Sequence, residues 1–146
     1  MNEAQVFSIH LRAGASLRYR SDFFASLAEQ RDRRFQVMIV DESSESRAPD
    51  PLLPLDVIHL RHARDMSYAR AHNQAIAFAL QRWPRETWSE RFIILTRPET
   101  AFHPGCIEAF AQAFAADPNC MLLGPKMLLA EVSQTLDQDT IEMQMT

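Results

Sequence analysis

The segment of residues 92–105, FIILTRPETAFHPG, decides the fold because it joins three features in a fixed order. It opens with apolar residues at successive positions, which is typical of a strand covered on both faces of a sheet. A polar turn then carries Arg97, Glu99 and Thr100, and the HPG that follows begins a helix. The segment therefore predicts a buried strand, a polar turn at its carboxyl end, and a helix.

The same alternation of short apolar runs and longer amphipathic runs extends along the chain on both sides of this segment. The further predicted strands are residues 5–11, 35–41, 56–62 and 120–125, and the predicted helices are residues 17–30, 66–83 and 104–116. The order β-α-β-β-α-β-α-β predicts a three-layer α/β/α domain with an open, mostly parallel sheet and helices on both faces. Residues 42–55 form a long irregular connection inside this domain, and such loops are often functional.

Two of the predicted helices carry an apolar stripe at the i, i+3, i+4, i+7 spacing, which marks the face that packs on the sheet. In the third helix the stripe consists of Ile107, Phe110, Ala111 and Phe114. In the second helix it consists of Tyr68, His72, Ala75, Ile76, Ala79 and Trp83.

The composition favours a single soluble domain and gives no sign of a nucleic-acid or membrane protein. The chain has 146 residues, of which 47% are hydrophobic, enough for one sizeable core. Its formal net charge is -4 and its Lys and Arg residues are scattered, so we expect no nucleic-acid partner. Because no apolar run approaches the ~20 residues of a membrane helix and no signal peptide is recognisable, we expect no transmembrane segment and a cytoplasmic location.

Polar side chains follow four of the predicted strands, at the positions where open α/β sheets bind their ligands. These residues are His10 and Arg12 after the first strand, Asp41, Glu42, Ser43 and Ser44 after the second, Arg64, Asp65, Arg70 and Asn73 after the third, and Arg97 and Glu99 after the fourth. The carboxylates can accept hydrogen bonds from a base or ribose, and the guanidiniums can bind phosphates. This mixture suits a nucleotide diphosphate.

Four pieces of sequence, taken in order, resemble the inverting family 2 glycosyltransferases of the GT-A fold. VFSIHLRAGAS is similar to their first strand and nucleotide loop, and FFASLAEQRDRRFQVMIVDESSES to the helix and strand that end in an acidic pair. SYARAHNQAIAFA resembles their Ala-Arg-x-x-Asn helix, and RFIILTRPETAFHPGCIEAFAQAFAADPNCMLLGPKML the segment from metal turn to GPK. The resemblance implies a nucleotide-sugar-binding domain over residues 1–128, followed by a polar acidic tail over residues 129–146.

The resemblance also implies roles for individual residues around a UDP-, GDP- or dTDP-sugar donor. Asp41 or Glu42 would accept hydrogen bonds from the base or ribose, while Arg12 and Arg70 would face the nucleotide. Asn73 would hold neighbouring loops by side-chain hydrogen bonds. In the alternative interpretation Asp41 merely ends a strand, Glu42 turns the chain, Arg70 belongs to a solvated helix face, and Asn73 makes a local cap or core contact.

The polar turn departs from the family at the position of its metal motif. The family has an Asp-x-Asp whose last carboxylate binds the Mg²⁺ or Mn²⁺ that bridges the diphosphate, whereas this chain has Arg97-Pro98-Glu99. Glu99 could still provide one oxygen ligand to such an ion. Alternatively, Arg97 could replace the metal as a fixed cation with two parallel hydrogen bonds. A third alternative is an exposed Arg97–Glu99 pair of little energetic value.

The general base of the family, an Asp or Glu beyond the GPK segment, has no counterpart here, so the catalytic residue is unknown. Asp137, Asp139 and Glu142 lie in the tail without a matching motif. The chain is thus predicted to be a glycosyltransferase completed by another subunit or by further sequence, or else a non-catalytic domain with a binding or assembly role. A homo-oligomer or a partner subunit would fit either. A phosphoacceptor domain of flavodoxin type is disfavoured because FIILT ends in Thr96 and Arg97 rather than in Asp.

Overall fold

The computed structural model describes residues 5–13, 20–41, 54–61 and 67–127. The side chains of residues 13, 20 and 21 are not described. The elements in chain order are β1 (Phe7–Ala13), α1 (Arg20–Ala28), β2 (Phe35–Asp41), β3 (Val57–Arg61), α2 (Tyr68–Arg82), a 3-10 helix (Arg85–Glu90), β4 (Phe92–Thr96) and α3 (Cys106–Ala116). Of these described helices, none is both long and apolar enough to cross a membrane.

The strands form one sheet in the order β3-β2-β1-β4, and every pair of neighbours is parallel. The register aligns Leu11 of β1 with Ile39 of β2 on one side and with Thr96 of β4 on the other. All carboxyl ends therefore lie at the same edge of the sheet. Helices cover both faces of this sheet, and the predicted open parallel α/β sheet is confirmed.

The two faces of the sheet pack against different helices. On the first face, α1 and α3 cover a core that includes Phe7, Ile9, Leu11, Phe23, Leu27, Val37, Ile39 and Ile107. On the second face, α2 covers a smaller core of Met38, Val40, Ala71, Ala75, Ala79 and Trp83. The small alanines along α2 let this helix approach the sheet closely. The side chains of each strand alternate between the two faces, as a strand period of two requires.

The apolar stripes are confirmed in α3 and only partly in α2. In α3, Ile107 is buried, and Phe110, Ala111 and Phe114 pack against the same core. In α2, His72, Ala75 and Ala79 are buried as predicted, but Tyr68 is 42% exposed. Tyr68 opens the helix directly after its N-cap, Ser67, whose Oγ accepts a hydrogen bond from the Arg70 backbone N–H. Its side chain therefore lies at the edge of the sheet rather than over the centre of it.

The chain from β4 to α3 is fastened to α1 by buried hydrogen bonds. Gln30, 3% exposed, donates from Nε2 to the carbonyl oxygens of Ser26 at 3.1 Å and His103 at 2.7 Å. Its Oε1 accepts from the Ile107 backbone N–H at 3.1 Å, in the first turn of α3. The Phe102 N–H donates to Ser26 Oγ at 3.0 Å. These bonds hold the segment that follows the polar turn of residues 97–100 in place.

The strand predicted over residues 120–125 is wrong: the structure has no strand there. Met121 is 92% exposed and Leu122 is 88% exposed. A short apolar run forms a strand only when a neighbouring strand pairs with it. Among the described residues, the edge of β4 that faces away from β1 pairs with no strand, and the run of residues 120–125 pairs with none. The predicted tail, residues 129–146, lies outside the described residues.

Candidate functional site

The predicted site residues meet at the carboxyl edge of the sheet but lie on its two faces. Arg12 follows Ser8 and His10 in the strand alternation and therefore lies on the face that α2 covers. Arg97 lies on the same face, because its guanidinium contacts Tyr68 at the start of α2. Asp41 lies on the opposite face, in alternation with Val37 and Ile39 of the larger core.

An exposed aromatic residue joins the polar turn to α2. The guanidinium carbon of Arg97 lies 5.7 Å from the centroid of the Tyr68 ring. The Tyr68 ring also contacts His72, one helical turn further along, at a centroid distance of 4.3 Å and an interplanar angle of 63°. His72 is 3% exposed. Tyr68 thus lies between an exposed cation and a buried imidazole.

A buried polar cluster lies under α2, close to this aromatic contact. Gln36 Nε2 donates to Ser8 Oγ at 3.2 Å, and Ser8 Oγ lies 2.8 Å from His10 Nε2. Ser8 Oγ accepts from Gln36 and can either donate its proton to His10 Nε2 or accept from it, depending on the imidazole tautomer. His10 Nδ1 and His72 Nε2 are both buried and have no hydrogen-bond partner within the described part of the protein.

Both imidazoles of this cluster are held in the neutral form. Burial, with the neighbouring His72 as the second cause, lowers the pKa of His10 to about 4. Burial likewise lowers the pKa of His72, with the charge of Arg12 as the second cause. The half-buried Arg12 side chain is therefore close enough to His72 to act on it electrostatically. At neutral pH the positive charge on this face resides on the arginines.

On the opposite face, Asp41 pairs with a histidine from the neighbouring strand. His59 Nε2 lies 3.1 Å from Asp41 Oδ2, and the Asp41 side chain is 0% exposed against 21% for His59. The Asp41 carboxylate lies at the end of β2 but is removed from the surface, and the His59 ring is the part of the pair that reaches it. The role of Asp41 in binding a base or ribose stays a prediction. Glu42, the other predicted acceptor, lies outside the described residues.

The residues of the polar turn do not fit a bound Mg²⁺ or Mn²⁺. Such ions prefer several oxygen ligands, and in this turn Glu99 is the one carboxylate, on an exposed position two residues from the Arg97 cation. Among the residues that the structure describes, no three His, Cys, Asp or Glu side chains are grouped so as to hold a metal. Within the same residues, no ion pair joins Arg97 to Glu99.

The two remaining predicted residues lie on the solvent side of α2. Arg70, in the first turn, is exposed and lies close to the carboxyl edge of the sheet. Asn73 is also exposed, and its side chain makes no hydrogen bond with any of the described residues. The structure thus places Arg70 where a ligand can reach it, while the role of Asn73 in holding loops stays a prediction.

Other arginines are gathered at the opposite, amino end of the sheet, where they are paired. A surface depression there is lined by Arg31, Asp32, Arg33, Arg34, Glu108, Ala111 and Gln112. Arg34 pairs with Asp32 at 2.7 Å, Arg33 donates to the Pro54 carbonyl at 2.8 Å, and Arg31 lies 3.8 Å from Glu108. These arginines already contact acceptors of the protein itself, so the carboxyl edge is the better candidate site for a ligand.

Sequence reasoning missed the part that Tyr68, His72 and His10 play beside the predicted site. The apolar stripe placed Tyr68 and His72 in the core, and His10 was one of several polar residues after a strand. Strand alternation in SIHLR already puts Ser8, His10 and Arg12 on one face. The N-cap at Ser67 was the available signal that Tyr68 starts its helix and lies at the edge of the sheet.

No family model matches the sequence, and no curated protein matches it. The fold is similar to that of solved crystal structures of S. aureus TarS. TarS residues 1–349 align with a TM-score of 0.54 at 17% identity, covering 76% of this chain and 32% of that chain. The same fragment in complex with UDP-GlcNAc aligns with a TM-score of 0.53 at 18% identity, covering 76% of this chain and 31% of that chain. The complex of this fragment with UDP aligns with a TM-score of 0.53 at 18% identity, and the alignment covers 76% of this chain and 32% of that chain.

The chain therefore spans about a third of the length of the TarS fragment that it resembles. Identity this low shows the fold alone. The likeness shows that this chain shares the α/β fold of that part of TarS.

Proposed function

We propose that this chain is a family 2 glycosyltransferase-like domain that binds a nucleotide-diphospho-sugar at the carboxyl edge of its sheet. It transfers the sugar when a partner subunit or a further part of the polypeptide completes the acceptor site. In that reaction the acceptor hydroxyl oxygen attacks the anomeric carbon, the nucleoside diphosphate leaves, and the hydroxyl proton passes to a base that the completing part supplies.

The observation that carries this proposal is the convergence of Asp41, Arg12 and Arg97 at one edge of a GT-A-like sheet. The buried Asp41 carboxylate is bonded to His59 on the opposite face, and the two arginines lie at the ends of the adjacent strands β1 and β4 on the α2 face. The amino terminus of α2 lies at the same edge, and its first turn carries no acidic residue. Backbone N–H groups and the helix dipole at such a terminus favour an anion. Solved TarS complexes with UDP and UDP-GlcNAc on a similar fold agree with this ligand class.

A second candidate function is a non-catalytic domain of the same fold with a binding or assembly role. It is favoured by one observation: the turn at the metal-motif position presents Arg97 and Glu99 in place of a pair of carboxylates. Such a domain would either retain nucleotide binding or lose it and act only through contacts of its surface with other proteins.

Isothermal titration calorimetry with UDP-GlcNAc and with GDP- and dTDP-sugars, each with and without Mn²⁺, tests the proposal. We expect at least one of these donors to bind, and Arg97→Ala to weaken that donor more than tenfold, because a phosphate loses a charged donor. Arg82→Ala is the matched control for loss of an exposed arginine, because Arg82 lies at the far end of α2 and contacts Phe78 at 5.7 Å. Absence of binding for every donor at millimolar concentration would refute the donor-site proposal.

A further inference from the structure

The donor set at the polar turn points away from a metal and towards a fixed cation. Glu99 is exposed and is the one carboxylate of the turn at residues 97–100, whereas Arg97 precedes it in the same turn. A guanidinium stays charged at every physiological pH and offers a planar pair of donors to a phosphate. The chemical requirement of a diphosphate, positive charge at the turn after β4, is therefore met by a side chain of the chain itself.

A flexible arginine is an effective phosphate ligand only when something restricts its conformation, and Tyr68 does so here. The Arg97 guanidinium lies over the Tyr68 ring at 5.7 Å. That ring is in turn fixed by its edge contact with His72 at 4.3 Å, and His72 is buried under α2. Cation–π contacts of this kind are worth about 0.5–1 kcal/mol at exposed sites, and they reduce the conformational freedom that binding would otherwise remove.

The surroundings of this contact are suited to an anion. Tyr68 is the first residue of α2 and so belongs to the amino terminus of the helix, where backbone N–H groups favour an anion. Arg12 lies on the same face and acts electrostatically on His72. Tyr68 remains 42% exposed, so a ligand can approach the guanidinium without moving the helix.

We infer that Tyr68 is a positioning residue that holds Arg97 as a metal-free cation for the diphosphate of the bound nucleotide. The inference rests on the proposed function, since it assigns the phosphate-binding part of the same site. Tyr68 acts through Arg97, so its effect is specific to ligands that carry phosphates.

The test compares UDP with uridine in calorimetric titrations of the full chain, with and without EDTA. We expect Tyr68→Ala to weaken UDP binding about two- to fivefold and to leave uridine binding unchanged, because only the phosphates use Arg97. Tyr68→Phe keeps the ring and should bind UDP as the original chain does. EDTA should leave the affinities for UDP and for uridine unchanged. Arg82→Ala removes a matched exposed cation–π contact at 5.7 Å and should also have no effect.

Each contrary outcome has a distinct meaning. If the original chain binds none of UDP, GDP and dTDP, the proposed function is wrong, and this inference falls with it. If GDP or dTDP binds instead of UDP, the same comparison is made with that diphosphate and its nucleoside. If UDP binds but is lost on adding EDTA, or binds Tyr68→Ala and the original chain equally, the inference alone is wrong. Equal losses for UDP and uridine in Tyr68→Ala would show a structural role instead. Arg97→Lys, which leaves Tyr68 and α2 untouched, should weaken UDP selectively even if Tyr68→Ala fails to fold.

Discussion

Asp41 and His59 contact each other diagonally across β2 and β3: the register pairs His59 with Ile39, yet its Nε2 lies 3.1 Å from Asp41 Oδ2. The Asp41 side chain is 0% exposed and the His59 side chain 21%. A carboxylate removed from water in this way depends on the donors around it. His59 is therefore one of the groups that make a charged residue tolerable at the end of β2.

Replacing His59 by Leu should destabilise the fold by about 1–3 kcal/mol, because the buried Asp41 carboxylate loses a donor. Urea unfolding followed by circular dichroism measures the change. His59→Gln, which can still donate from its amide, should recover a large part of the loss. In the Asp41→Asn background, His59→Leu should cost less than it does alone, since no buried charge is left uncompensated. Additive losses in the two backgrounds would contradict this account.

Gln30→Leu should destabilise the chain by about 2–4 kcal/mol, because it leaves the Ile107 N–H and the His103 carbonyl without their side-chain partner. The N-cap of α3, Gly105, has no side chain to cap the helix, so Gln30 Oε1 satisfies a donor of the first turn from another helix. Urea unfolding again provides the measurement. Gln112→Leu, the same substitution at an exposed position of α3, should change stability by less than about 0.5 kcal/mol. A loss below about 1 kcal/mol for Gln30→Leu would show that the helix start finds other partners.

The neutral state of His10 predicts that the fold weakens in acid. The pKa of His10 is lowered from 6.5 to about 4 in the folded chain, so the unfolded chain binds the proton more readily between these values. Stability is therefore fully present above pH 6.5 and is lost as the pH falls towards 4. For His10 alone the loss between pH 7.5 and pH 5 is about 2 kcal/mol. The lowered pKa of His72 acts in the same direction.

Urea unfolding at these two pH values, compared between the original chain and His10→Gln, isolates this contribution. Gln can keep a contact with Ser8 through its amide but does not titrate. From pH 7.5 to pH 5 the stability of His10→Gln should therefore fall by about 2 kcal/mol less than that of the original chain. An identical pH dependence in both chains would mean that His10 is protonated as easily in the folded state as in the unfolded state.

Much of the fold could be predicted because it depends on local patterns. Successive apolar residues in FQVMIVD and FIILT marked strands that the sheet buries, and the spacing of Ile107 and Phe114 marked the packed face of α3. That the carboxyl ends of the strands share one edge of the sheet follows from the parallel order alone. It was thus possible to expect Arg12, Asp41 and Arg97 near one another without knowing any distance.

What could not be predicted depends on partners distant in sequence. The run CMLLGP has the apolar character of a strand, but whether it pairs is decided by a neighbouring strand and not by its own residues. The contact of His59 with Asp41 depends on the register of β3 against β2. Tyr68 fits the helical period of α2, yet its position at the first turn places it beside Arg97 instead of in the core. Period alone does not tell these two situations apart.

The exposed apolar side chains beyond α3 predict self-association of the chain. Met121 is 92% exposed, Leu122 88% and Met127 67%, and Leu95 on the edge strand β4 is 49% exposed. Apolar groups at this exposure, next to an edge strand unpaired within the described residues, favour contact between copies. Sedimentation velocity over a range of concentrations should therefore show species heavier than the 16.7 kDa monomer.

Leu122→Glu should shift this equilibrium towards the monomer, since a charge placed in an apolar contact must lose its hydration when two copies meet. Gln112→Glu introduces the same charge at an exposed position of α3 and leaves the apolar residues intact, so it should sediment as the original chain does. If both variants dissociate equally, the effect comes from net charge and not from the apolar surface. If the original chain is strictly monomeric at all concentrations, the exposed side chains do not drive association.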